Sequence, residues 1–163
     1  MKKYSLMAAL IVTSFIIQTS FFKFFNILGI APNLSLILVV LFSFMTDGIT
    51  GGIIGVITGL LYDTMIYDVF GVYTLIYFFI GAIIGTYSDE MLRENYVAYT
   101  AVTALSTAAM HFLLYILLFF LRYRVGNAGN IVLSILFEIV FNTVLSIFVF
   151  KIINLIFEKL NVK

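Results

Sequence analysis

Apolar positions fill most of the chain in long continuous runs, which are broken at a few points by polar residues, glycine or proline. The first run covers Ser5 to Phe22 and follows Lys2 and Lys3. A charged start with an apolar middle is typical of a secretory signal, but this run ends in bulky residues instead of the small ones that a cleavage site needs. We therefore expect a first helix that is retained.

The second apolar region, Leu34 to Tyr62, is interrupted by Asp47 and Gly48. As one helix it would be roughly 43 Å long, against about 30 Å of hydrocarbon, and would place Asp47 near mid-bilayer at a cost of about 3 kcal/mol. Pro32 lacks a backbone N–H and suits the first turn of a helix that starts near Leu34. The pattern favours two short spans or a re-entrant hairpin, which give the same topology.

Three later apolar runs predict helices at about Gly71 to Tyr87, Tyr96 to Leu121 and Ile131 to Phe150. The tail from Ile152 to Lys159 keeps its apolar residues, which indicates a continuation of the last helix in the membrane interface. Tyrosines near several predicted ends fit an aromatic belt. The pattern as a whole predicts an all-α integral membrane protein, with about six transmembrane helices in a single domain that covers residues 1–163.

The composition excludes several classes of protein. Hydrophobic residues make up 63% of the chain and charged residues 10%, with a mean hydropathy of +1.17, whereas a soluble domain is about 25% charged. A net charge of +1 excludes an electrostatic nucleic-acid binder. With no cysteine, one histidine and no catalytic motif, we expect no metal, no cofactor and no enzymatic activity.

The distribution of basic residues predicts the orientation. Six spans place more basic residues inside than outside, whereas a single span through Leu34 to Tyr62 gives equal numbers on the two sides. We therefore expect both termini in the cytoplasm. In the six-span arrangement the inner basic residues are Lys2, Lys3, Arg93, Lys159 and Lys163, and the outer ones are Lys23, Arg122 and Arg124.

Glycines recur every fourth residue in the third predicted helix. Gly51, Gly55 and Gly59 line one face, and Asp63 continues that face one turn later. Small residues at this spacing let helix backbones approach closely within a membrane. The stripe predicts either internal packing of this chain or a docking face for another membrane protein.

The fourth predicted helix carries a matching pair, Gly81 and Gly85, with Tyr77 one turn before it. Asp63 and Asp68 lie at the outer end of the third helix and in the loop beyond. A carboxylate at a helix C-terminus opposes the helix dipole, so Asp63 serves another purpose. It either caps the fourth helix or pairs with an arginine, and Asp68 is either functional or a solvated loop acid.

Three polar residues lie inside the last two predicted helices. Glu138 must be paired, protonated or in contact with water, and Arg122 and Arg124 are its expected partners. Proton or ion coupling through Glu138 is the alternative. His111 is either a proton relay or a hydrogen-bonding link to a neighbouring helix, and Asn142 is expected to bridge helices.

Three segments, in this order and spacing, resemble the rod shape-determining protein MreD family. They are Pro32-Asn33-Leu34-Ser35-Leu36-Ile37, Gly51-x-x-x-Gly55-x-x-x-Gly59-x-x-x-Asp63 and Asp68-x-x-Gly71-x-x-x-Leu75-x-Tyr77. Asn142 matches a position where the family often has asparagine, whereas Tyr73 replaces a histidine or similar polar residue. Chain length, basic N-terminus and number of spans fit the family over essentially the whole sequence.

The resemblance implies a non-enzymatic, multi-pass protein of the bacterial cytoplasmic membrane that supports lateral peptidoglycan synthesis and cell shape. It implies association with the bitopic shape protein MreC and, through it, with the actin-like MreB, the glycan polymerase RodA and its transpeptidase. It also implies a fold similar to the six-helix substrate-binding components of vitamin transporters. We expect the partner to contact the third and fourth helices and their outer loop, at Gly51, Gly55, Gly59, Asp63, Asp68, Gly71 and Tyr77.

Two other functions remain open at this stage. A small-molecule-capturing component of a vitamin-type transporter predicts a roomy polar pocket. A proton-coupled channel or carrier predicts that Glu138 and His111 face a continuous water path. The sequence leaves open whether the bundle self-associates.

Overall fold

The structure, a computed structural model, describes residues 2–20, 31–65, 69–88, 95–123 and 128–160 of the 163-residue chain. All of the secondary structure in these residues is helical. They form six helices, which are α1 (Lys2–Ser20), α2 (Leu34–Phe44), α3 (Gly48–Asp63), α4 (Val72–Tyr87), α5 (Tyr96–Phe120) and α6 (Ala128–Lys159).

Short polar side chains define the starts of three helices. Asn33 caps α2 by accepting a hydrogen bond from the backbone of Leu36, and Asp47 and Asn95 cap α3 and α5 in the same way. We expected Pro32 in the first turn of α2. It precedes the cap residue Asn33 and therefore lies outside that turn. Hydrogen bonds from Thr50 hold the pKa of Asp47 below its ordinary value.

Consecutive helices run in opposite directions. Lys3, at the start of α1, donates to the carbonyl of Met45 just after α2 (2.9 Å), and Tyr99 near the start of α5 stacks on Phe150 in the second half of α6. We call the end where α1, α3 and α5 finish and α2, α4 and α6 begin the upper end, and the opposite end the lower end.

The short helix α2 lies at the centre of the bundle. Every residue from Ser35 to Phe44 is buried, and α2 contacts each of the other five helices. Its 11 residues span about 17 Å, roughly half the thickness of the hydrocarbon. The sequence predicted this segment as a short membrane span. In the structure it is a core helix that is enclosed by protein.

Two helices are long and apolar enough to cross a membrane, α5 and the part of α6 from Val132 to Lys159, while α2, α3 and α4 are shorter apolar helices. The last helix begins at Ala128, before the predicted start, and ends at Lys159, where the predicted continuation ends. Its tail continues the same helix because Ile153 and Phe157 insert into the core. Large apolar side chains cover the exposed face of α6, including Leu136, Val140 and Phe148, and a face of this kind requires lipid or another protein against it.

Candidate functional site

The glycine stripe of α3 packs directly against the backbone of α4. Gly51 faces Gly81, Gly55 faces the carbonyl of Tyr77, and a Cβ added at Gly59 would lie 2.5 Å from the Cα of Thr74. The close approach that the stripe predicts thus forms within the chain. A partner helix lying on this stripe would have to take the place of α4.

The glycines of α4 complete the same interface from the other side. A Cβ added at Gly85 would lie 2.6 Å from the carbonyl oxygen of Asp47, at the lower end of the pair. The hydroxyl of Ser43, on α2, lies against both Gly51 and Gly81, and within the described residues it has no hydrogen-bond partner. Three helices therefore meet closely at this point, with little room for any additional atom.

Asp63 caps the first turn of α4. Its Oδ1 accepts from the backbone N–H of Tyr73 (3.0 Å), and its Oδ2 accepts from the backbone N–H of Thr74 (3.0 Å) and from the Thr74 hydroxyl (2.5 Å). The residue at the cap position itself, Gly71, has a φ of 96° and no side chain to offer. Of the two roles considered for Asp63, the structure shows the capping role. Asp68 lies outside the described residues.

A buried polar network joins the helices near the upper end. The backbone N–H of Asn33 donates to Oδ1 of Asn142 (2.7 Å), and the Asn33 side chain donates to the hydroxyl of Tyr77 (2.8 Å) and contacts the sulfur of Met110. Asn142 in turn donates to the hydroxyl of Thr107 (3.1 Å). Asn142 therefore bridges α2, α5 and α6, and Tyr77 extends the network to α4.

A second contact ties α1 to the same region. Oε1 of Gln18 accepts hydrogen bonds from the backbone N–H and the hydroxyl of Ser35. Asn33 and Gln18 are buried, and in apolar surroundings such bonds are costly to break. The network fixes α1, α2, α4, α5 and α6 relative to one another.

Glu138 pairs with His111 across α5 and α6. The distance between Oε2 of Glu138 and Nε2 of His111 is 2.9 Å, and the side chains are 16% and 18% exposed. We expected Arg122 or Arg124 as the partner. Arg122 is exposed beyond the end of α5, about 16 Å along the helix from His111, and Arg124 lies outside the described residues. The antiparallel helices bring residues at equal depth together, which places Glu138 beside His111.

Three tyrosines cluster beside this pair. The ring centroids of Tyr62 and Tyr73 are 4.8 Å apart, and the ring of Tyr77 lies 5.7 Å and 6.0 Å from them. The hydroxyl of Tyr77 is bonded to Asn33, which is also bonded to Asn142, one turn of α6 after Glu138, and contacts Met110, next to His111. The end of α3, the start of α4 and the middle of the α5–α6 pair thus converge on one acidic and aromatic region.

An apolar groove of about 320 Å³ lies between α4 and α5. Ile80 and Ile83 line one side, Val102 and Leu105 line the other, and Phe44 contributes from α2. This groove offers apolar contact and little hydrogen bonding. It differs from the roomy polar pocket that we expected of a small-molecule-capturing component.

The arrangement is suited to binding and to rigid support. Among the described residues, His, Cys, Asp and Glu side chains form no group of three that could hold a metal ion. Sequence reasoning identified Asn142, Tyr77, His111 and Glu138 but missed their partners. The sequence could have identified Asn33 as a helix cap, since it directly precedes an apolar run. Nothing in the sequence indicates its hydrogen bonds to other helices.

Comparison with protein-family models matches residues 2–156 to the family described as rod shape-determining protein MreD. The match covers nearly the whole chain. No curated protein and no solved structure matches it.

Proposed function

The chain belongs to the rod shape-determining protein MreD family, and from this premise we propose that it is a non-catalytic membrane subunit that binds a bitopic shape protein of the MreC type. The family has a role in rod shape determination, and its members are membrane proteins. Through that partner the chain would act with MreB, RodA and its transpeptidase in lateral peptidoglycan synthesis. The family match over residues 2–156 is the observation that carries this proposal.

The proposed partner contact is the outward face of the α3–α4 pair. The glycines hold α3 and α4 together, so the side chains on the other side of the pair are presented in a fixed arrangement. Ile53, Ile57 and Leu60 of α3 are exposed large apolar residues, and their spacing places them on one face of that helix. A partner helix packed here would bury apolar area without disturbing the polar network.

The proposed topology has six spans and two cytoplasmic termini in the bacterial inner membrane. The alternating helix directions support it, because each helix returns the chain to the side from which the previous one started. The short α2 is compatible with this topology because its backbone is enclosed by protein, and irregular or short segments are tolerated in a membrane when they are buried in this way.

Co-purification from the membrane tests the partner proposal. The full chain would be co-expressed with an affinity-tagged bitopic shape protein from the same cell, with an unrelated bitopic protein carrying the same tag as the control. We expect the chain to be recovered with the shape protein and not with the control. Equal recovery with both tagged proteins would contradict the proposal.

The vitamin-transporter alternative also predicts a helical bundle, so the fold does not separate the two functions. One observation bears on this alternative. The polar side chains of Glu138, His111, Tyr62 and Tyr73 are only partly buried, so a small ligand could contact them. Capture of a small ligand does not exclude a role as a scaffold, and the two are tested separately.

A further inference from the structure

The acidic and aromatic region at the upper end contains polar atoms that the bundle does not use. We call Glu138, His111, Tyr62, Tyr73 and Tyr77 the carboxylate–tyrosine site. The hydroxyl of Tyr77 is bonded to Asn33. Among the residues that the structure describes, the hydroxyls of Tyr62 and Tyr73 have no hydrogen-bond partner, and only Oε2 of Glu138 is engaged, by His111.

The side chains that carry these unused atoms are only partly buried. Tyr62 and Tyr73 are half-buried, in contrast to Tyr77, which is fully buried. The side chains of Glu138 and His111 are 16% and 18% exposed. In apolar surroundings a polar group is stable only when something polar faces it. The two free hydroxyls and the carboxylate are therefore available to a polar occupant.

The charge of the carboxylate–tyrosine site indicates which class of ligand it can bind. Asp63 accepts from the backbone of Tyr73, and Glu138 lies one turn of α6 before Asn142, which shares Asn33 with Tyr77. The region therefore carries two carboxylates. In the part of the chain described, Oε2 of Glu138 is hydrogen-bonded to Nε2 of His111, and Oε1 has no partner. The lysines and the arginine with described side chains lie at the lower end or beyond the last turn of α5, and they are Lys3, Lys151, Lys159 and Arg122.

We propose that the carboxylate–tyrosine site binds the ammonium group of a small organic amine. The carboxylate of Glu138 balances its charge, the tyrosine rings attract it through cation–π interactions within about 6 Å, and the free hydroxyls accept its N–H groups. Mg²⁺ or Ca²⁺ fits less well, because each requires about six or more oxygen ligands and Glu138 is the one carboxylate of the site with a free oxygen, both oxygens of Asp63 being engaged by α4. The ammonium group can come from a soluble amine or from the ethanolamine headgroup of a lipid.

Isothermal titration calorimetry of the full chain in detergent micelles tests this proposal, with ethanolamine hydrochloride as the probe and sodium chloride of equal ionic strength as the blank. We expect saturable binding that Glu138→Gln weakens about tenfold or more, since it removes the balancing charge. Glu158→Gln is the matched control, because Glu158 is an exposed acid on the same helix. It should bind ethanolamine as the unchanged protein does.

A competition experiment identifies the source of the amine. If a lipid headgroup is the natural occupant, lysophosphatidylethanolamine added to the micelles weakens ethanolamine binding, whereas lysophosphatidylglycerol does not. If neither lipid competes, the site takes a soluble amine. Both results support the ammonium site and differ only in where the group comes from.

Two results would overturn the proposal. One is the absence of saturable ethanolamine binding to the folded chain, and the other is an unchanged affinity in Glu138→Gln. Should Glu138→Gln fail to fold, the double variant Tyr62→Phe, Tyr73→Phe replaces it, since it removes the two free hydroxyls and keeps the rings and the His111–Glu138 pair. It should weaken binding about threefold or more, and an unchanged affinity would contradict the proposal.

Discussion

Asn142 and Ser43 are two buried polar residues, and only Asn142 has hydrogen-bond partners for its side chain among the described residues. Asn142 is fully buried and bonded to both Asn33 and Thr107, so its amide links α6 to α2 and α5. Ser43 is equally buried, yet its hydroxyl has no hydrogen-bond partner among the described residues. Burial alone therefore does not determine what a polar side chain contributes here.

Replacement of these two residues by alanine separates the two cases. Asn142→Ala should lower the free energy of unfolding by about 1–2 kcal/mol, because it leaves the buried N–H of Asn33 without an acceptor and removes the hydrogen bond to the hydroxyl of Thr107. Ser43→Ala should change it by less than about 0.5 kcal/mol, since no hydrogen bond is lost. Unfolding in mixed micelles of mild and denaturing detergent measures both values, and equal losses would contradict this assignment.

A second comparison of single side chains is between Asp63 and Asp47, which cap α4 and α3. Asp63→Ala should destabilise the chain by about 2 kcal/mol, because three donors of the first turn of α4 lose a charged acceptor inside the protein. Asp47→Ala removes the exposed cap of α3 and should have a measurably smaller effect, since water replaces it. The same detergent titration checks both, and the interpretation fails if the exposed cap matters as much as the buried one.

The backbones of α3 and α4 are in direct contact, and glycine makes this close approach possible. At Gly55 a side chain would overlap the carbonyl of Tyr77, which is part of a helix backbone and cannot turn aside. At Gly52, on the same helix, a Cβ would meet the ring of Phe78, a partly exposed side chain that can rotate away.

Adding one methyl group at each position distinguishes a rigid neighbour from a movable one. Gly55→Ala should lower the free energy of unfolding by about 1–3 kcal/mol, as overpacking does in well-packed cores. Gly52→Ala should cost clearly less. A chain that tolerates Gly55→Ala as well as Gly52→Ala would show that α3 and α4 do not approach as closely as the structure has them.

Helix boundaries were largely predictable from the sequence, and the position of α2 was not. Asn33, Asp47 and Asn95 have side chains that satisfy the first free N–H groups of a helix, so the starts of α2, α3 and α5 follow from local chemistry. An apolar helix looks the same in sequence whether lipid or protein surrounds it. The central burial of α2 is therefore a property of the assembled bundle.

The partner of Glu138 was predicted wrongly from charge and could have been found from depth. Glu138 lies about ten residues into α6, or about 15 Å along it. In an antiparallel neighbour joined by a short connection, the facing residue lies equally far from the turn, which points to His111 and not to Arg122. The hydrogen bonds of Asn33 to Asn142 and Tyr77 carry no such local signal, because they join residues distant in sequence.

Chemical labelling can test the orientation of the whole molecule in the membrane. The chain contains no cysteine, so single cysteines introduced at exposed ends report their location without interference. A membrane-impermeant maleimide applied to intact spheroplasts should label Arg122→Cys at the upper end. Asp47→Cys and Glu158→Cys, at the lower end, should react only after lysis. Labelling of all three before lysis, or the reverse order, would contradict the six-span topology.

The central proposal is that this chain holds a bitopic shape protein against the outward face of α3 and α4. The most direct measurement is site-specific photo-crosslinking in cells that express the partner, with a photoreactive amino acid at Ile57 of α3 and, as the matched control, at Val140 of α6, since both side chains are exposed. We predict a crosslink to the partner from position 57 and none from position 140. A crosslink from position 140 alone would contradict the proposed face, and none from either position would contradict the proposed contact.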